Sequence, residues 1–151
     1  MIIDANKLGD TKKRVYEYLV SVDSDFTPVL SSKVKLDEYT DKIMSLGNVF
    51  VYTENGKIGA MIIFYTNDKE TLRSYCAALS VAHEFRGRGL SKQLLSLFIE
   101  KSRECGMLTA SCHTSNPVVE AMCKASGFVE KGREKSAVKD IGDRIFLEKT
   151  L

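Results

Sequence analysis

Apolar positions along the chain recur in two rhythms. Leu8, Val15, Tyr18, Leu19 and Val22 follow a helical spacing, as do Leu36, Tyr39, Ile43 and Leu46, so two amphipathic helices are expected before any strong strand signal. Gly47 is placed to close the second in the left-handed cap position. The rhythm then changes. Val49 to Thr53 and Ile58 to Tyr65 are β-rich runs joined through Asn55-Gly56, which predicts adjacent antiparallel strands in a hairpin. Leu72 to Val81 is a third strand-like run, Leu90 to Cys105 a long helix closed by Gly106, and Leu108 to Cys112 another strand. Asn116 caps a helix through about Ser126, with Pro117 in the first turn where no N–H donor is needed. Phe128 to Glu134 and Arg144 to Lys149 complete the strands, and Lys135 to Asp143 is a loop with no assigned role. Helices first, then antiparallel strands, then a strand-helix-strand crossover give an α+β pattern with a mixed sheet.

The step from strand to long helix carries the first chemical signal. Leu79, Val81 and Phe85 lead into Arg86-Gly87-Arg88-Gly89-Leu90-Ser91, and Leu90, Leu94, Leu97 and Phe98 leave it as a helical stripe. A helix N-terminus exposes backbone N–H groups with no intrahelical acceptor, and the aligned peptide dipoles add about half a positive charge there. Gly87 and Gly89 remove Cβ atoms that would hold an anion off the main chain, while Arg86, Arg88 and Lys92 add positive side chains. One reading is an anion cradle for a diphosphate; the other is an ordinary strand-to-helix turn with solvated arginines. The spacing fits neither a P-loop nor a dinucleotide-binding loop, which would need a third glycine where Lys92 stands.

Composition narrows the classes. A chain of 151 residues with 44% hydrophobic content can bury one core, so a single domain spanning 1–151 is expected. A formal charge of +2 is too small for general nucleic-acid binding, and Lys12-Lys13-Arg14 reads as a solvated helix face. Cys76, Cys105, Cys112 and Cys123 include no Cys-x-x-Cys pair and no paired histidines, so no metal site is expected. There is no apolar run of about 18 residues and no leader pattern, so a cytoplasmic protein with free thiols and no membrane partner is the expectation.

The downstream residues extend the turn into a longer signature. Arg86, Gly89 and Ser91 resemble the pyrophosphate motif of the GNAT acyltransferase superfamily, which is Arg or Gln, two residues, Gly, one residue, then Gly or Ala; Ser is a small departure. Asn116, Ala121 and Gly127-Phe128 resemble the second motif of that superfamily. The resemblance covers roughly the last hundred residues well and the first forty weakly. It implies a GNAT-like mixed, mostly antiparallel sheet flanked by helices, with splayed central strands that bind CoA. Leu79 and Val81 would pair with the pantetheine arm through their main chains. The amides of Gly87, Arg88, Gly89, Leu90 and Ser91 would hold the diphosphate, with Arg86, Arg88 or Lys92 nearby, and Asn116 would lie beside the pantetheine.

The chemistry implied is direct attack of a primary amine on the thioester of acetyl-CoA, with a main-chain N–H near Leu79 polarising the carbonyl. Two departures bear on it. Many members carry a tyrosine seven residues after the asparagine that protonates the leaving thiolate, and Cys123 stands there. With a reference pKa of about 8.5 it has the acidity for the task, and it is equally suited to packing as a small hydrophobe. Second, no acidic residue lies between Tyr75 and Val81, where many relatives place a glutamate base. An alkyl ammonium is neutral only about once in a thousand at pH 7, so a base or water chain should help; His83, Glu84 and His113 are within reach of the cleft through water, or are plain loop residues. Tyr75, Cys76 and Ser80 line the strand.

The resemblance places the acceptor near Asp23, Asp25, Phe26, Thr27, Pro28, Ser31 and Ser32, which serve equally well as turn and cap residues. The expected function is acetyl-CoA-dependent N-acetylation of a small-molecule amine such as an amino sugar, amino acid or polyamine. A protein or peptide N-acetyltransferase and a non-catalytic CoA-binding module are the alternatives. A homodimer is compatible with the resemblance, and no stripe in the chain demands one.

Overall fold

The computed structural model of the chain describes residues 1–26, 28–137 and 142–151. In chain order its elements are β1 (Ile2–Asp4), α1 (Thr11–Val22), α2 (Leu36–Leu46), β2 (Asn48–Glu54), β3 (Lys57–Tyr65), β4 (Arg73–Val81), α3 (Leu90–Glu104), β5 (Thr109–Thr114), α4 (Pro117–Ala125), β6 (Val129–Glu134) and β7 (Arg144–Thr150), with short 3-10 turns between some of them. The strands form one sheet in the order β1-β2-β3-β4-β5-β7-β6. β4 and β5 run parallel, and the other neighbours are antiparallel.

The β2–β3 hairpin closes at Asn55-Gly56 as its sequence predicts. Both residues have positive φ, 53° and 75°, the requirement of a two-residue turn whose twist matches its strands. β3 is buried on both faces from Ile58 to Phe64, which explains its unbroken apolar run. On one face α3 and α4 cover Ala60, Ile62 and Phe64 with Leu94, Leu95, Phe98 and Cys123; on the other, α1 and α2 cover Val51, Met61 and Ile63 with Val15, Leu19 and Ile43. Each such large side chain contributes about 1.5–3 kcal/mol when fully buried.

Three local expectations need correction. Gly47 does follow α2, but its φ is −103°, so that helix ends in extended backbone rather than in a left-handed cap. Leu8 lies before α1, in a turn whose carbonyl accepts a 2.7 Å hydrogen bond from Thr11 Oγ1. β1 carries too few residues for a periodicity; it exists because Ile2–Asp4 finds the free edge of β2, pairing Ile2 with Tyr52.

A polar bolt sets where the central strands stay together. Ser102 of α3 donates to Ser74 Oγ at 2.7 Å in a fully buried contact, and Ser111 Oγ donates to the Ser74 carbonyl at 2.7 Å. These bonds hold the lower half of β4 against α3 and β5.

Candidate active site

Pairing between β4 and β5 runs from Arg73–Thr109 to Cys76–Cys112 and stops there, although β4 continues to Val81 and β5 to Thr114. A register shift beside Ile63–Ala78 and Phe64–Cys76 leaves Ala77 as an extra residue on β4 at the point of divergence, which bends the strand away. Beyond the fork, the direction of the main chain follows from the ladder on the other side. Ala82 N–H bonds to the Gly59 carbonyl at 2.8 Å, and antiparallel rungs alternate, so Ser80 and Ala78 also face β3. Leu79 and Val81 therefore turn their N–H and C=O groups into the gap that β5 has vacated. Their side chains pack the opposite way, with the α3–α4 core.

The turn after β4 ends at the α3 N-terminus. Gly87 and Gly89 have φ of 81° and 74°, and a Cβ on either would meet nothing within 4 Å, so the space beside the exposed amides is open. Gly89 is the N-cap and supplies no side-chain cap to the first turn of α3, where Leu90 is buried and Ser91 half-buried. The cations are less free than their spacing suggests. Arg86 donates to Asp25 at 3.2 Å and through Nε to the Val81 carbonyl at 3.1 Å. Arg88 pairs with Glu54 at 3.1 Å and lies 5.0 Å over the Phe85 ring. Lys92 faces a hollow along the outer side of α3 with Gln93 and Ser96.

A cleft of about 670 Å³ opens at the fork, bounded by Ala77 to Leu79, by His113 to Pro117, and by Asp25, Phe26, Pro28, Leu30, Lys33 and Arg144. Asn116 lies on its rim and is held by its own turn. Its Oδ1 accepts from Val118 N–H at 2.8 Å, capping α4, and its N–H donates to Thr114 Oγ1 at 3.0 Å. On the α1–α2 side of the sheet, a second hollow of about 520 Å³ runs over β4, β5 and β7 and shares His113 with the cleft. Tyr75, His113 and Phe146 cross these strands as an aromatic row, with ring centroids 5.6 and 5.9 Å apart.

Tyr75 Oη and His113 Nε2 are hydrogen bonded. Burial holds the His113 pKa below the usual histidine value, helped by the charges of Arg144 and Lys33 against that of Glu134. A neutral imidazole leaves Nε2 to accept from the Tyr75 hydroxyl. Tyr75 is itself pushed up by burial, so it remains a phenol. Nothing local in the sequence marks Lys33, a lysine in a turn, or Arg144, the first residue of a late strand.

The carboxylates in the expected acceptor region have local partners. Asp23 accepts from Ser31 N–H at 2.7 Å and from Ser31 Oγ at 2.6 Å, while Asp25 accepts from Arg86. Ser32 Oγ bonds to the Val29 carbonyl. Thr27 lies outside the described residues, as does 138–141 of the Lys135 to Asp143 loop. His83 is in a 3-10 turn before the glycines, and Glu84 pairs with Lys57.

Cys123 does not line the cleft. It is 2% exposed, inside the core between α4 and β5, with its Sγ 3.7 Å from that of Cys112. That hydrogen bond and burial drive Cys112 far above the ordinary thiol range, and burial pushes Cys76 up to about 12. Neither cysteine at the fork is therefore a thiolate at neutral pH, and neither can act as a covalent nucleophile toward a thioester. Among the described residues no cluster of His, Cys, Asp and Glu is arranged to hold a metal, and no helix is long and apolar enough to cross a membrane.

Residues 12–128 match the model of the Acetyltransferase (GNAT) family. No curated protein matches the chain in sequence. Among solved structures, the fold is similar to that of ribosomal-protein-alanine N-acetyltransferase from Brucella melitensis, with a TM-score of 0.79 at 20% identity over 100% of this chain and 99% of that one. It is also similar to a GNAT family acetyltransferase from Elizabethkingia anophelis with acetyl-CoA bound (TM-score 0.71, 18% identity, 100% and 97% covered). An acetyltransferase from Bacillus subtilis in complex with CoA superposes with a TM-score of 0.72 at 15% identity, covering 99% and 97%.

Proposed function

The chain belongs to the GNAT acetyltransferase family, whose members carry out acetyl-CoA-dependent acyl transfer, and from that premise we propose that it acetylates the primary amine of a small molecule. The observation that carries the reading is the fork itself: β4 leaves β5 after Cys76–Cys112 with the main chains of Leu79 and Val81 turned into the gap, and the uncapped N-terminus of α3 stands at its end. The residues fit acetyl-CoA. Leu79 and Val81 offer strand-like hydrogen bonds to the pantetheine arm, although the Val81 carbonyl is shared with Arg86. The amides of Gly87 to Ser91 suit a diphosphate, supported by Lys92 and by the ion-paired Arg86 and Arg88. Asn116 borders the arm. Bound there, acetyl-CoA supplies an activated acetyl group.

The protein's own contribution is positioning and a preset dipole. The Leu79 N–H donates to the carbonyl oxygen and stabilises the charge that grows on it. Once the attacking nitrogen has bonded to carbon it becomes acidic. His113, which borders the cleft and is held by Tyr75 Oη, then takes its proton through water, so the charge ends on the imidazole ring. Water protonates the leaving thiolate. The cleft volume of about 670 Å³ supports an acceptor of modest size, because part of that space is the gap itself.

Isothermal titration with acetyl-CoA, compared with dephospho-CoA and ATP, tests the cradle. Saturable binding of acetyl-CoA stronger than both controls is expected, followed by thiol release with small primary amines. Turnover only with peptides would replace the small-molecule reading by a protein N-acetyltransferase; binding without any turnover would leave a CoA-binding module.

A further inference from the structure

Among the described residues, four charged or titratable side chains line the cleft at the fork: Asp25, Lys33, His113 and Arg144. Their balance is uneven. Asp25 is neutralised by Arg86 at 3.2 Å, and His113 accepts a hydrogen bond as a neutral ring. Lys33 and Arg144 have no ion-pair partner among the described residues, so the one carboxylate of the cleft, paired with Arg86, does not offset them.

The two cations line the same cleft from different elements, Lys33 from the connection before α2 and Arg144 from the first position of β7. Both are close enough to His113 for their charges to hold its proton off. Like charges brought to one cleft repel each other and contribute nothing to folding. An anion between them turns that repulsion into two attractions. A guanidinium binds a carboxylate or phosphate through a two-pronged fork, and an ammonium acts as a point charge.

We propose that the acceptor is an amine that also carries an acidic group, a carboxylate or a phosphate, held between Lys33 and Arg144 with its amino group toward Leu79. This rests on the small-molecule reading above and narrows it. Of the expected acceptors, amino acids fit, and amino sugars fit where they carry a phosphate; polyamines, whose second cation would meet Lys33 or Arg144, do not.

Matched pairs test this: L-amino acids against their carboxamides, amino-sugar phosphates against the parent amino sugars, and a set of diamines, with thiol release recorded at saturating acetyl-CoA. The acidic member of a pair is expected to have at least a tenfold higher kcat/KM, and whichever pair shows it identifies carboxylate or phosphate as the group. The Lys33→Ala and Arg144→Ala variants should lose that preference mainly through KM, with acetyl-CoA affinity by titration unchanged. Equal or better turnover of carboxamides, parent sugars or diamines overturns the inference and leaves the small-molecule reading standing. So does a preference that survives in both variants. Acetyl-CoA binding with turnover of peptides alone overturns both.

Discussion

Cys76 on β4 and Cys112 on β5 are the last residues at which the two parallel strands pair, and the next residue on β4, Ala77, is the extra one in its ladder with β3. That junction decides which amides are available. Because the Leu79 N–H points into the gap and takes no part in a β3 rung, Leu79→Pro should delete one donor without breaking the sheet. We expect kcat to fall by about 10²-fold, the order found when a single preset donor is lost, with acetyl-CoA affinity changed far less. Steady-state kinetics beside titration checks it. Unchanged kcat in a folded variant would move the polarising group elsewhere.

Gly89 should be the most sensitive position in the cradle. Its φ of 74° is a conformation that β-branched residues avoid, and the space a Cβ would enter is the space beside the α3 amides. Gly89→Val is expected to weaken CoA binding at least tenfold, about 1.4 kcal/mol. It should also cost stability through backbone strain of about 1–2 kcal/mol. Comparing calorimetric affinity with the melting temperature separates the two, and full affinity in the variant would place the diphosphate away from this turn.

The fold was legible in the chain wherever a local rule acted alone. Asn55-Gly56 fixed a hairpin, Asn116-Pro117 a helix start, and the glycines between β4 and α3 the open turn. Gly47 misled because a glycine after a helix signals the end but not its dihedral angles. The cleft was half legible. Leu79, Gly89 and Asn116 stand in motifs with spacing, whereas the hydrogen bond of Tyr75 to His113 and the approach of Lys33 and Arg144 join residues 38 and 111 positions apart. Asp23 and Asp25 show the reverse: the resemblance sets them near the acceptor, and their serine and arginine partners are visible only in three dimensions.

Cys123 separates two roles by one substitution. Its sulfur sits among buried residues that include Cys112, Phe128 and Ile145, so Cys123→Ala should remove packing and the thiol–thiol hydrogen bond. A loss of about 1 kcal/mol in denaturant unfolding is expected, with kcat within about twofold of the parent. A fall in kcat near 10²-fold at unchanged stability would instead make this thiol the acid for the leaving group.

His113 should write its environment into the pH dependence of stability. Burial first, then Arg144 and Lys33, lowers its pKa in the folded protein, and Glu134 opposes them. In the unfolded chain the ring titrates near its usual value of about 6.5. Above that pH both states hold a neutral ring and the full stability is present. As the pH falls below it, the unfolded chain takes up the proton first, so stability is lost progressively down through the lower, folded pKa. Melting temperatures of the parent should therefore drop more between pH 7.5 and 5 than those of His113→Gln, whose amide keeps the size and a hydrogen-bonding oxygen for Tyr75 without titrating. Parallel curves for the two proteins would mean that the ring is protonated as easily in the fold as outside it.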